Sequence, residues 1–154
     1  GSLRCFIKNV SNYKKTKRCN KILNDEKKKL NLKSFKTFNK KIIKEVTKFK
    51  YNLSVLKKKN KTVIGYGAPA RVSTITNFAN IDSNLIDFII DDSPLKQNRF
   101  SPGKHIKILP KKNNINNKIE NVVVFAYEYF EEIKKKFKKI KVFFFKPIPF
   151  KKIK

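Results

Sequence analysis

Gly65, Gly67 and Ala70 in the stretch GYGAPA are spaced G-x-G-x-x-A, a permitted form of the dinucleotide fingerprint. That spacing suits phosphate chemistry. Gly65 permits a tight turn, Gly67 lets an anion approach the backbone, and Ala70 lets a following helix pack closely on its strand. Free N–H groups at the start of such a helix favour a phosphate, and Arg71 on its first turn can meet one through two parallel hydrogen bonds. A glycine turn required only for backbone geometry has the same spacing, so the motif alone leaves both readings open.

Further along, Asp91 and Asp92 close an apolar run, the place where a nicotinamide-dinucleotide domain meets a ribose hydroxyl. They open the segment DDSPLKQNRFSPGKHIKI, which is too rich in specific polar residues to be a mere connector and carries the only histidine, His105. A lone histidine more often packs or hydrogen-bonds than catalyses. Cys5 and Cys19 fit neither a metal-ligand spacing nor a disulfide framework.

A phosphate-holding turn needs a strand before it and a helix after it. Residues 62–66 are a short apolar run ending in the motif, and a helix is expected from Pro69, since proline is well tolerated in a first helical turn. Further strands are expected over 85–91, 105–109, 121–126 and 141–145; the run NVVVFA is nearly continuous in apolar character, as strands buried on both faces are. Residues 127–140 read as a helix, with Phe130, Ile133, Phe137 and Ile140 on one side and acids placed early to complement the dipole.

Upstream, residues 2–9 alternate as a strand does, and 11–20 have no core pattern and read as a solvated connector. From Ser34, read as an N-cap, Phe35, Phe38, Ile42, Val46, Phe49, Leu53 and Leu56 recur at steps of three and four towards Lys59. The expectation is an α/β, Rossmann-like fold. It has an open, mostly parallel sheet of about five strands with flanking helices and right-handed crossovers, preceded by a long amphipathic N-terminal helix. Residues 1–60 would form the N-terminal strand, basic connector and helix, and residues 61–154 the Rossmann-like domain.

The formal net charge is +28, carried by 35 lysines and four arginines. Such a surface binds polyanions non-specifically and leaves a basic nucleic-acid-binding protein as an alternative. Nucleic-acid interfaces usually recruit arginine, however. The abundance of Lys, Asn, Ile and Phe, all with A/T-rich codons, produces the same profile without any partner. No apolar run reaches membrane-spanning length and no apolar signal segment opens the chain, so a cytoplasmic protein with no membrane partner is expected.

Taken together, GYGAPARVSTITNFANI, LIDFIIDDSPLKQNRFSPGKHIKI and VVVFAYEYFEEI resemble the C-terminal domain of bacterial S-adenosylmethionine-dependent C-methyltransferases that act on nucleotide-linked deoxysugars. The likeness covers nearly the whole chain, with residues 11–60 matching in pattern only. It implies an enzyme with a zinc-binding region, a central methyltransferase domain that holds S-adenosylmethionine and supplies the base, and this domain, which closes over the sugar nucleotide. The implied reaction removes a proton beside a ketone and transfers a methyl group to that carbon.

On this resemblance the edge facing a deoxy-ketosugar nucleotide comprises Gly65, Tyr66, Gly67, Ala68, Pro69, Ala70, Arg71, Thr74, Asn77, Asp91, Ser93, Lys96, Gln97, Arg99, His105 and Tyr127. The chain departs from the family twice. Arg71 and Val72 stand where Lys-Gly is usual, and the bulk of Val72 would hold a ligand off the backbone; Tyr127 and Glu128 stand for Trp-Asn. With no cysteine cluster for zinc, no acidic glycine-rich donor loop and no second histidine, the chain itself is expected to bind no cofactor. It would be inactive alone, a piece of a longer enzyme or an isolated domain working with a methyltransferase domain in cis or in trans. The alternative within ligand binding is an NAD(P)-type module, favoured by the fingerprint and Asp91.

Overall fold

The computed structural model describes residues 4–7 and 14–154. The chain divides into two compact units, residues 1–40 and 41–154. The proposed strand over 2–9 lies partly outside the described residues, and Arg4–Ile7 are exposed and in no strand. In place of a connector, α1 spans Lys17–Lys29. The Thr16 side chain caps it by accepting from the Cys19 amide at 3.2 Å, and three lysines close its last turn. It buries no residue; the Thr16 cap and the lysines at its carboxyl end favour it. Helix α2 spans Leu32–Lys58 and is capped by Asn31 rather than Ser34. The Ser34 amide donates to Asn31 Oδ1 at 3.0 Å, and the Asn31 amide donates to Ser34 Oγ at 3.1 Å, a reciprocal capping box.

In the second unit a six-stranded sheet runs in the order β3-β2-β1-β4-β5-β6. The strands are β1 (Val63–Tyr66), β2 (Ile89–Ile90), β3 (Ile108–Leu109), β4 (Asn121–Val124), β5 (Phe143–Lys146) and β6 (Lys151–Ile153). All pairings are parallel except β5 with β6. The fold is therefore α/β with an open, mostly parallel sheet, one strand larger than expected.

Side chains alternate between two cores, as strand geometry requires. Val63, Ile89, Val123 and Phe125 face one side, where they meet Val46, Phe49 and Leu53 of α2 and Val72 and Ala79 of α3 (Ala70–Ala79). Ile64, Tyr66, Ile90, Val122 and Val124 face the other, against Ile133 of α4 (Phe130–Lys136) and Phe137. Phe35 and Phe38, expected on the buried stripe of α2, are 56% and 62% exposed.

The expected strand over 105–109 shrinks to its last two residues because His105 is left-handed, at φ 50°, and its amide turns back to Ser101 O at 3.0 Å. The helix expected over 127–140 begins as a 3-10 turn (Tyr127–Tyr129) and ends at Lys136. Strand β6 has no apolar signature; it returns after Phe150, whose ring stacks on Phe145 at 5.3 Å and on Phe49 at 5.6 Å.

Candidate functional site

The strand order reverses between β1 and β4, so the chain leaves their neighbouring carboxyl ends in opposite directions. In open α/β sheets the ligand crevice lies outside such a switch point. Two turns face each other there: Gly67–Pro69, leading into α3, and Phe125–Tyr129, leading into α4.

Gly67 adopts φ +81°, and a Cβ on it would lie 2.5 Å from the Ala126 Cβ. Both its left-handed backbone and the facing turn thus require glycine here. Gly65 is required by packing, since its Cβ would fall 2.9 Å from Ile89 Cγ1 and 3.0 Å from the Phe125 ring. Asp91 ties the crevice to the following loop: its buried carboxylate accepts from the Ala68 amide at 2.6 Å and the Ser93 amide at 2.8 Å, with the Lys96 ammonium at 3.5 Å. The Val72 amide turns back to Pro69 O at 2.9 Å. The Ala70 and Arg71 amides are left without an acceptor among the described residues, the arrangement a helix N-terminus offers to an anion.

Beside these amides Arg71 Nη2 pairs with Glu128 Oε1 at 2.6 Å. The Arg71 guanidinium carbon lies 4.6 Å from the centre of the Tyr127 ring, and the Lys146 ammonium, from β5, lies 4.1 Å from it. Two cations thus rest against one exposed ring, a cation–π arrangement. The bond to Glu128 raises the Arg71 pKa above its usual value. The Glu128 carboxyl is held below the usual range by its own backbone amide and then by Arg71.

Compared with known protein families, residues 1–149 match the C-methyltransferase C-terminal domain. The chain belongs to this family. No curated protein matches the chain.

In this C-methyltransferase C-terminal domain, most of the residues singled out from the sequence fall into three places. Gly67, Ala68, Pro69, Ala70, Arg71 and Tyr127 meet at the switch-point crevice. Ser93, Lys96 and Gln97 gather around Asp91, with Gln97 Nε2 donating to Asp91 O at 3.0 Å. Asn77 bridges α3 to the loop, donating to Ser73 O at 2.7 Å and to Pro102 O at 3.0 Å. Thr74, Arg99 and His105 are exposed, and none of their side chains bonds to the rest of the site among the described residues.

Tyr66 points away from the crevice. Its hydroxyl donates to Asp92 Oδ1 at 3.0 Å, in the core on the α4 side. Burial pushes it up to about 12. Burial pulls the neighbouring Lys136 ammonium down, but its bonds to Asp92 and Tyr66 outweigh that and raise it.

Val72 is buried in the α3 core and does not obstruct the turn. Glu128 and Lys146 escaped the sequence reading. Glu128 was visible only as a departure from the family, and Lys146 is one lysine among 35. Among the described residues no helix is long and apolar enough to cross a membrane.

Proposed function

We propose that this domain positions a nucleotide-linked deoxy-ketosugar for C-methylation by holding its diphosphate at the crevice between β1 and β4. One observation carries the reading: Arg71 and Lys146 stand against the Tyr127 ring beside the unpaired amides of α3. The Ala70 and Arg71 amides receive one phosphate. The guanidinium exchanges Glu128 for the diphosphate, whose greater negative charge competes well against one carboxylate. Lys146 neutralises the remainder, and the exposed Tyr127 ring offers a face to a sugar or base.

The methyl donor is held elsewhere, by a methyltransferase domain in cis or in trans. Asp91, the acid placed to meet a ribose diol, is already engaged with the Ala68 and Ser93 amides. The same engagement counts against NAD. The chain's own residues bind and orient the sugar nucleotide, and proton removal and methyl transfer fall to the partner domain. S-adenosylmethionine, bound there, supplies the methyl group.

Calorimetry at physiological ionic strength tests this. A thymidine-diphosphate sugar should bind, NAD should bind more weakly, and Arg71→Ala should weaken the sugar nucleotide about tenfold or more, as loss of a charge-assisted pair does. Binding indifferent to Arg71→Ala, or equal binding of NAD, overturns the reading. Methylated product formed by this chain alone from labelled donor and ketosugar nucleotide would overturn the division of labour.

A further inference from the structure

The connection from β3 to β4 must pass over β2 and β1 to reach the far side of the sheet. It does so without a helix: residues 110–120 form turns, and their Ile115 and Ile119 join the core on the α4 side. Turns cover less of the sheet than a helix does. Between residues 110–115 and the end of α4 they leave an open cleft of about 890 Å³.

Its walls carry four ammonium groups, from Lys111, Lys112, Lys136 and Lys139, against one carboxylate, Asp92. That carboxylate is committed, since it accepts from the Tyr66 hydroxyl and the Lys136 ammonium. Lys111, Lys112 and Lys139 pair with no acid among the described residues.

The rim is also fixed in shape. The Asn114 side chain donates to Pro110 O at 2.8 Å and to Lys112 O at 3.1 Å, and Asn113 is left-handed at φ 67°. The lysine backbone is thereby held at the cleft edge. Pro110, Ile115 and Ile140 give the lining an apolar portion. Uncompensated cations along a concave wall repel one another and focus a positive field that an anion relieves.

We propose that this cleft is a second anion site that takes an organic phosphate, its phosphate on Lys111, Lys112 and Lys139 and its apolar body over Ile115 and Ile140. The cleft lies on the α4 side of the sheet, whereas α3 packs on the other side. The proposal therefore stands independently of the reading of the switch-point crevice.

The test is an amide chemical-shift titration of the full chain at physiological ionic strength, with inorganic phosphate and with thymidine monophosphate. Besides any shifts at the switch point around residues 67–71 and 126–128, a separate set should appear at residues 110–115 and 136–140, with thymidine monophosphate binding there more tightly than phosphate. The triple variant Lys111→Gln, Lys112→Gln, Lys139→Gln, all exposed positions, should weaken it about tenfold, as the loss of three modest ion pairs predicts. Arg71→Ala should leave the shifts at residues 110–115 and 136–140 unchanged. The control Lys36→Gln, Lys40→Gln, Lys44→Gln removes the same charge from exposed positions of α2 and should also leave them unchanged. Equal weakening by both triples, shifts spread over the whole surface, or no binding of either probe overturns the proposal.

Discussion

Arg71 and Glu128 clasp the switch point: their side chains meet at 2.6 Å, joining the first turn of α3 to the turn after β4. Both stand where the family resemblance expects other residues, lysine at 71 and an amide at 128. The two departures thus answer each other. In the proposed complex the guanidinium must leave this carboxylate for a phosphate, which makes Glu128 a competitor for the ligand.

Glu128→Gln should therefore tighten binding of a thymidine-diphosphate sugar severalfold while hardly changing stability. The pair is solvent-exposed, and exposed pairs contribute no more than about 1 kcal/mol. Calorimetry read beside a melting curve checks both halves. Weaker binding in this variant would mean that Glu128 helps to hold the ligand.

Asp91→Ala should cost about 2–4 kcal/mol of stability. It leaves the Ala68 and Ser93 amides without their buried acceptor, and bonds to a charged group are among the more costly to remove. Urea unfolding measures the loss. Asp91→Asn, which keeps one acceptor oxygen, should recover part of it.

Gly67→Ala should destabilise the domain by about 2–3 kcal/mol, because the new methyl combines a left-handed backbone with contact against Ala126. Ala126→Gly in the same chain should restore only the steric share. Full rescue would show that the backbone conformation costs nothing.

The buried Tyr66 hydroxyl gives a pH signature. Its pKa is raised from 10.0 to about 12, so the unfolded chain ionises first. The stabilisation is fully present below pH 10.0 and is lost as pH rises towards about 12. Subtracting the stability curve of Tyr66→Phe from that of the native chain should leave a fall confined to this window. A flat difference would show that the hydroxyl titrates alike in both states.

Much of this architecture is written locally. The runs VIGY and NVVV are largely apolar, and buried at every position, because both faces of a parallel strand are covered, and each strand appears where those runs lie. Proline at 69 and the glycine at 67 mark the start of α3 for reasons internal to the segment. Patterning failed where helices bury nothing, as in α1, and where a strand exists only because a partner returns to it, as in β6.

The site divides along the same line. Sequence alone determined the motif turn, its arginine and the acid at the end of β2, because those rest on backbone conformation and chain order. Only the tertiary structure decided which groups those residues meet: Asp91 the Ala68 amide, Arg71 the Glu128 carboxylate, Gly67 the Ala126 methyl, Tyr66 the far core. Each of these contacts joins segments more than 20 residues apart. Their pairing depends on strand order, which hydrophobic periodicity leaves open.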